Sequence, residues 1–479
     1  MKKLWLVLLS LGLIMAFSVS AFAVDVKVSA EYYAAGLYLN KVSVDSGYDD
    51  QQKREWEEPP STAFYFQRLR MGVDFIVSPC LKLVTRFDAM ERIWGGARSS
   101  GYGGRDDDDY YELSANSAGT RAENENIAFD LVYIDYIAPV GQFKVGYQLD
   151  RVWGTVFGDR ANGNPAGQIQ YWKSFGPATL FVGYAKEVDN SWSAVSVNYG
   201  INATRTDRDL DSYRLGAIYN FKTSQVMGET GVLFTYDRDA TCRGKACDSY
   251  MSNIYIIDPY VKAKIGPVAL QAEAQYWFGD AKKFEGYVTG EQNVSISALS
   301  VYLDATANFG MFTVGGSAAY LSGDDYGSED TIGGGINTAG LDWNPCLILF
   351  NQDLLYWVGP ITGHTVSVVN NEMSNAWFGQ LRAGVKPTPQ LDILLAVSYA
   401  QADKKNRNPY IDYNSTYPGG TYGTEIDLTG TYKITNNLTY MLGIGYLFTG
   451  DNFKGKDRAG EGYKIQDDFI VINKLTLTF

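Results

Sequence analysis

The chain has 479 residues, among them 50 Gly, 35 Tyr, 23 Phe and 10 Trp, a formal charge of −13 and a mean hydropathy of −0.18. So acidic a balance argues against nucleic acid as a partner. After the N-terminal leader no stretch approaches the roughly 18–20 apolar residues of a membrane helix, so any crossing of a bilayer must be made by strands closed into a barrel.

The chain opens on Met1-Lys-Lys, an apolar run from Leu4 to Val19 and the small-x-Ala sequence Ser20-Ala-Phe-Ala23. This is the pattern of an export signal peptide over 1–23, leaving 24–479 as one domain without a linker or composition break. Because the leader carries Lys2, Lys3 and no acid, its removal takes −13 to −15.

From there alternating segments follow one another, separated by connections that switch between long and short. The first strand is expected over 24–40, with a charged loop to 61, and the next two, 62–77 and 81–94, meet at Ser78-Pro-Cys80. After about thirty residues come 127–138 and 142–150, joined by Pro139-Val-Gly141, then 168–174 and 178–187, joined by Phe175-Gly-Pro177. Pairs follow at 211–221 with 228–237, 252–265 with 268–278, and 293–307 with 311–321. Beyond the segment 322–375 come 376–386 with 391–402 and 424–435 with 438–449. That segment reads as one folded loop or as a loop hiding a hairpin in 346–358, so 18 strands are expected, with 16 or 20 open.

The last strand runs flush to the terminus. Phe469, Val471, Leu475, Leu477 and Phe479 share one face and Lys474, Thr476 and Thr478 the other. Short turns on one side and long loops on the other are the mark of an outer-membrane barrel. The fold class expected is therefore all-β: a transmembrane antiparallel up-and-down barrel placed in the cell outer membrane.

The same parity assigns charges to the lumen, because Arg or Lys facing lipid at mid-membrane costs about 2–4 kcal/mol. It turns Arg68, Arg70 and Asp74 inward on the second strand and Lys82, Arg86 and Asp88 on the third. Elsewhere it turns in Lys144, Asp150, Arg214, Glu229, Lys262, Lys264, Glu273, Arg382, Asp392, Asp427 and Lys433. Aromatics at strand ends, Trp94, Tyr136, Trp172, Tyr184, Trp277, Phe278 and Tyr399, suit interfacial girdles.

Little else in the chain carries chemistry. The single histidine, His364, lies in a loop without a catalytic set around it, and no Cys-x-x-Cys-His or metal-ligand cluster occurs, so neither enzymatic activity, cofactor nor metal is expected. Cys242 and Cys247 flank a short polar loop and are expected to pair in a local disulfide; Cys80 and Cys346 read as lone thiols. The acidic run 106–109 reads as a solvated outer loop, with Ca²⁺ binding or bridging of lipopolysaccharide phosphates the weaker alternative.

Several stretches resemble the porin-like barrels of Gram-negative bacteria, in particular those of sulfate- and metal-reducing delta-class lineages. They are Tyr65-Phe-Gln-Arg-Leu-Arg70, Thr85-Arg-Phe-Asp-Ala-Met90, Val145-Gly-Tyr-Gln148, Trp153-Gly-Thr-Val-Phe-Gly-Asp159, Ala319-Tyr-Leu-Ser-Gly-Asp324 and the terminal Phe479. The resemblance implies a water-filled channel for ions and small hydrophilic solutes, with Phe479 as the insertion signal read by the barrel-assembly machinery. It implies contact with outer-membrane lipid and lipopolysaccharide, and a homotrimer as a common assembly. By position it makes Asp159 and Arg160, in the third outer loop, constriction residues. The chain is also similar in strand number to alginate-export channels. Two other functions stay open beside the porin: a polysaccharide-export conduit, and a scaffold sheathing a multihaem cytochrome.

Overall fold

In the computed structural model the described residues are 24–45, 48–49, 54–55, 59–95, 127–158, 165–190, 207–243, 249–285, 292–325, 330–339, 343–363, 367–405, 419–454 and 464–479. Eighteen strands form a closed antiparallel barrel. In chain order they are β1 (Asp25–Leu39), β2 (Thr62–Ser78), β3 (Leu81–Ile93), β4 (Ile127–Ala138), β5 (Gly141–Leu149) and β6 (Pro165–Phe175). Next come β7 (Ala178–Val188), β8 (Leu210–Lys222), β9 (Val226–Asp239), β10 (Tyr250–Ile265), β11 (Val268–Phe284) and β12 (Val294–Phe309). The last six are β13 (Phe312–Leu321), β14 (Ala376–Thr388), β15 (Leu391–Ala402), β16 (Thr421–Lys433), β17 (Leu438–Thr449) and β18 (Asp468–Thr478). Each pairs with its sequence neighbour, and β18 returns to β1 with Glu31 opposite Thr478 and Leu39 opposite Ile470. The terminal Phe479 exchanges backbone hydrogen bonds with Ala30, at 2.9 and 3.0 Å, so the seam is paired to the last residue.

Closure leaves no open edge, as a lipid environment requires. Outward side chains are large and apolar, inward ones small, polar or covered. On β12, Leu299, Val301 and Leu303 are exposed, while Ala298, Ser300, Tyr302 and Asp304 between them are buried. Trp94, Tyr136 and Tyr399 lie on the outer surface, but Trp172 and Trp277 do not. Their indoles donate to Gln170 and Gln275, two residues away on the same inward face. For Trp277, sharing the odd parity of Glu273 already demanded this.

The described residues of 322–375 form one folded loop, not a hairpin of the barrel wall. It contributes a two-residue strand (Thr331–Ile332) parallel to β12 and a seven-residue helix, α1 (Gln352–Val358). The side chain of Asn351 caps α1 by accepting from the Leu354 N–H, and the N–H of Gly359 closes it on the Leu355 carbonyl. The loop carries Cys346-Leu-Ile-Leu-Phe350, too apolar for an outer surface, and buries it among Leu37, Phe378, Leu447 and Ile470 from the inner faces of β1, β14, β17 and β18. At about 1.5–3 kcal/mol for each fully buried large apolar side chain, this run holds the loop inside the barrel.

The expected signal peptide 1–23, the acidic run 106–109, Asp159, Arg160, Cys247 and His364 lie outside the described residues.

Candidate functional site

Loop 322–375 leaves a cavity of about 760 Å³ between itself and the barrel wall, bordered by Arg68, Arg70, Asp88, Glu91 and Lys474 on one side and Trp343, Leu347 and Trp357 on another. The charged side is built by β2, β3 and β18. Arg70 is held by Asp88 in a two-pronged pair, Nε to Oδ1 at 2.8 Å and Nη2 to Oδ2 at 2.7 Å. Arg86 donates through Nε to Asp130 at 2.8 Å. Lys82 lies 3.5 Å from both Asp74 and Asp135. So the cations of this hairpin do gather on one face, but acids interleave with them.

Two of those acids escape a strict two-residue alternation because β-bulges turn them inward. Between the pairs Gln67–Arg92 and Leu69–Ala89, Arg68 alone faces both Met90 and Glu91, and Met90 takes left-handed backbone (φ 53°). The shift brings Glu91 to 3.8 Å from Arg68. On β4 the register slips between Arg86 and Phe87, leaving Asp130 as the extra residue that meets Arg86. Each bulge sets an acid against an arginine.

Arg68 is held more loosely than its neighbours. Its ion pairs to Glu31 and Glu91 are at 3.9 and 3.8 Å, beyond hydrogen-bond distance, and its Nε is buried without a partner. Its guanidinium lies 5.2 Å from the Tyr33 ring centre, and the amine of Lys474 lies 4.2 Å from that same ring. Arg68, Tyr33 and Lys474 thus form a cationic patch beside α1.

The described part of the third outer loop, 150–158, enters the barrel at a different wall. Glu273 on β11 accepts from the backbone N–H groups of Thr155, Val156, Phe157 and Gly158, at up to 3.0 Å, and from the Thr155 hydroxyl at 2.6 Å. Trp153 packs against Phe181 and Tyr260, with its indole N–H on the Asp258 carbonyl. Beneath the loop Arg214 is buried between Asp150 and Glu187. Arg151 bridges Asp150 and Asp237; burial opposes its charge, but these acids together with Glu187 outweigh burial and raise its pKa.

Of the remaining predicted lining residues, Arg382 pairs with Asp304 and donates to Gln380 at 2.9 Å. Lys144 lies 5.8 Å from the Trp172 ring. Near the short turns, Glu229 sits 4.0 Å from Lys262 and Asp392 3.0 Å from Lys386, while Lys264 and Lys433 are solvent-exposed. Asp427 and its neighbour Glu425 hold the loop: Ile348 and Leu349 N–H donate to Glu425 at 2.7 Å each and Leu347 N–H to Asp427 at 3.3 Å. Glu425 has the parity of Asp427 and was legible by that rule. Burial, reinforced by Glu425 and Asp427, pushes the Cys346 thiol pKa well up. Sequence reasoning also passed over Tyr33, Trp343 and Trp357, whose placement depends on where the loop lands.

These features define a transmembrane β-barrel of eighteen strands with two of its own loops folded into the lumen. Among solved structures the chain is similar to the outer membrane protein OpdK from Pseudomonas aeruginosa, at 12% identity and TM-score 0.46 over 95% of this chain and 99% of that one. It is similar to OprD from the same bacterium, at 11% identity and TM-score 0.47 over 96% of each chain. A third is an anion-selective porin from Comamonas acidovorans, at 11% identity and TM-score 0.39 over 95% of this chain and 99% of that one. No protein-family model and no curated protein matches the sequence.

Proposed function

We propose that the protein is an outer-membrane porin: a non-enzymatic, water-filled channel for passive diffusion of ions and small hydrophilic solutes, reached by export through the leader 1–23. The observation that carries this reading is the loop-lined cavity, whose wall bears charges of both signs opposite an apolar, indole-bearing side. A barrel of this strand number leaves an aqueous lumen, and fixed charges along it favour hydrated polar solutes over apolar ones. Arg68, the most loosely paired arginine of the cavity wall, and Lys474 beside it give an anionic group of a solute somewhere to rest. Of the parity-assigned charges, Arg68, Arg70 and Asp88 of the β2–β3 hairpin line the path.

The same loop supports a channel over a sheath for a cytochrome or a conduit for a polymer, since the room such an occupant needs is taken by the chain itself. The apolar outer band suits outer-membrane lipid, Phe479 suits recognition by the assembly machinery, and a homotrimer is the assembly we favour. Purified protein in planar bilayers is expected to conduct ohmically. A correctly inserted barrel that passes no current overturns the reading, and haem-staining protein co-purifying in fixed ratio overturns it in favour of the sheath.

A further inference from the structure

Glu425 and Asp427 stand two residues apart on β16, so both face loop 322–375. Glu425 is fully buried and Asp427 is 4% exposed. The Sγ of Cys346, itself buried, and one oxygen from each carboxylate all lie within 4.8 Å of one another. Three loop N–H groups serve these two carboxylates: Glu425 receives two, and Asp427 receives one at Oδ2. The other oxygen of Asp427, Oδ1, is buried with no hydrogen-bond partner. Among the described residues neither acid forms an ion pair, and Arg382, which borders the same cavity, is engaged by Asp304.

Two buried carboxylates in such proximity cannot both stay charged without a cation. A shared proton would neutralise one of them and leave the thiol on Ser398. A divalent cation neutralises both and recruits the sulfur. One thiolate with two carboxylates is a mixed sulfur–oxygen donor set, which suits a borderline first-row ion of the zinc type and not Ca²⁺ or Mg²⁺. Donor atoms around such an ion stand roughly 3.4–3.7 Å apart, a spacing these side chains reach by small rotations. Cys346 and Asp427 both border the cavity, which supplies the entry path.

We infer that Cys346, Glu425 and Asp427 form a binding site for a zinc-class divalent cation that clamps loop 322–375 to β16. On binding, the thiol releases its proton to solvent. Thiolate and carboxylates then carry three negative charges against two positive, and a fourth position is left open toward the lumen for water. The inference is independent of which solute the channel passes.

The test uses the full chain in detergent after chelation, titrated with Zn²⁺ and with Co²⁺ as a spectroscopic probe. One equivalent of Co²⁺ is expected to bind with thiolate-to-cobalt charge-transfer absorption. Cys346→Ser should abolish that absorption, and Asp427→Asn should weaken binding by at least about tenfold. The wild-type chain supplies a second readout that does not depend on a variant folding: one equivalent of Zn²⁺ should slow alkylation of Cys346 but not of the exposed Cys80. No stoichiometric binding, binding unaffected by both substitutions, or unprotected Cys346 would each overturn the site. So would an Asp427→Asn variant whose loop is held more tightly than in the wild type and ignores the metal, since that is the behaviour of a proton-sharing pair.

Discussion

Two loops enter this barrel and are fastened by carboxylates in different ways. At β11 one carboxylate, Glu273, takes up the loop: it receives five donors from four consecutive residues, so both of its oxygens are saturated. At β16 two carboxylates share three donors, and one oxygen stays unpartnered. In the first, both lobes of Glu273 are matched by N–H or O–H donors, the condition under which a buried ion is tolerated, while the buried Asp258 beside it takes Gln275 on one oxygen and leaves the other unmatched. The second has surplus negative charge and a neighbouring sulfur, and so calls for a proton or a cation from outside. The number of donors per carboxylate, more than depth of burial, separates a closed anchor from one that can take up a ligand.

The sharpest break in this comparison is Glu273→Ala. It strands four backbone N–H groups, each worth about 1–3 kcal/mol when buried and unmet, so residues 151–158 should leave the wall. Proteolysis within that loop should rise steeply while the heat-resistant barrel mobility on gels is kept, because the strand ladders are untouched. Protease resistance equal to wild type would show that Trp153 packing alone holds the loop.

Glycines at the two anchors allow a milder comparison. A Cβ at Gly154, where φ is +71°, would stand 2.7 Å from the Glu273 carboxyl carbon, and one at Gly445 would stand 2.6 Å from Asp427 Oδ1 and 3.1 Å from the Leu347 Cβ. Gly154→Ala should loosen the third loop, with backbone strain of about 1–2 kcal/mol added to the clash. Gly445→Ala should push residues 346–349 off β16 at a cost of about 1–3 kcal/mol, read as faster alkylation of Cys346 against a constant rate at Cys80. Unchanged Cys346 labelling would mean that the wall and not the loop gives way.

The smallest effect concerns the charged wall between the anchors. Changing Arg68 and Arg86 together to Glu should move the reversal potential toward cations, by an amount that shrinks as salt shortens the Debye length from about 10 Å at 0.1 M. An unchanged potential at low salt in a conducting double variant would place the selective level away from this wall.

The sequence by itself determined the barrel. Alternation with period two, turns of two or three residues and an amphipathic strand ending at Phe479 are local properties, and eighteen strands with the observed seams follow from them. The same rule turned Arg68, Arg70, Arg86 and Asp88 to one face, because side-chain direction in an extended chain is set by the backbone alone. It failed at Glu91 and Asp130, where a bulge shifts the phase by one residue; a bulge is settled by register against the neighbouring strand, which no single segment encodes. It could not say where residues 322–375 go, since an apolar run in a loop finds its place only among inner faces contributed by strands far away in sequence. The meeting of Cys346 with Glu425 and Asp427, some eighty residues on, is a product of that placement, and only the tertiary structure decided it.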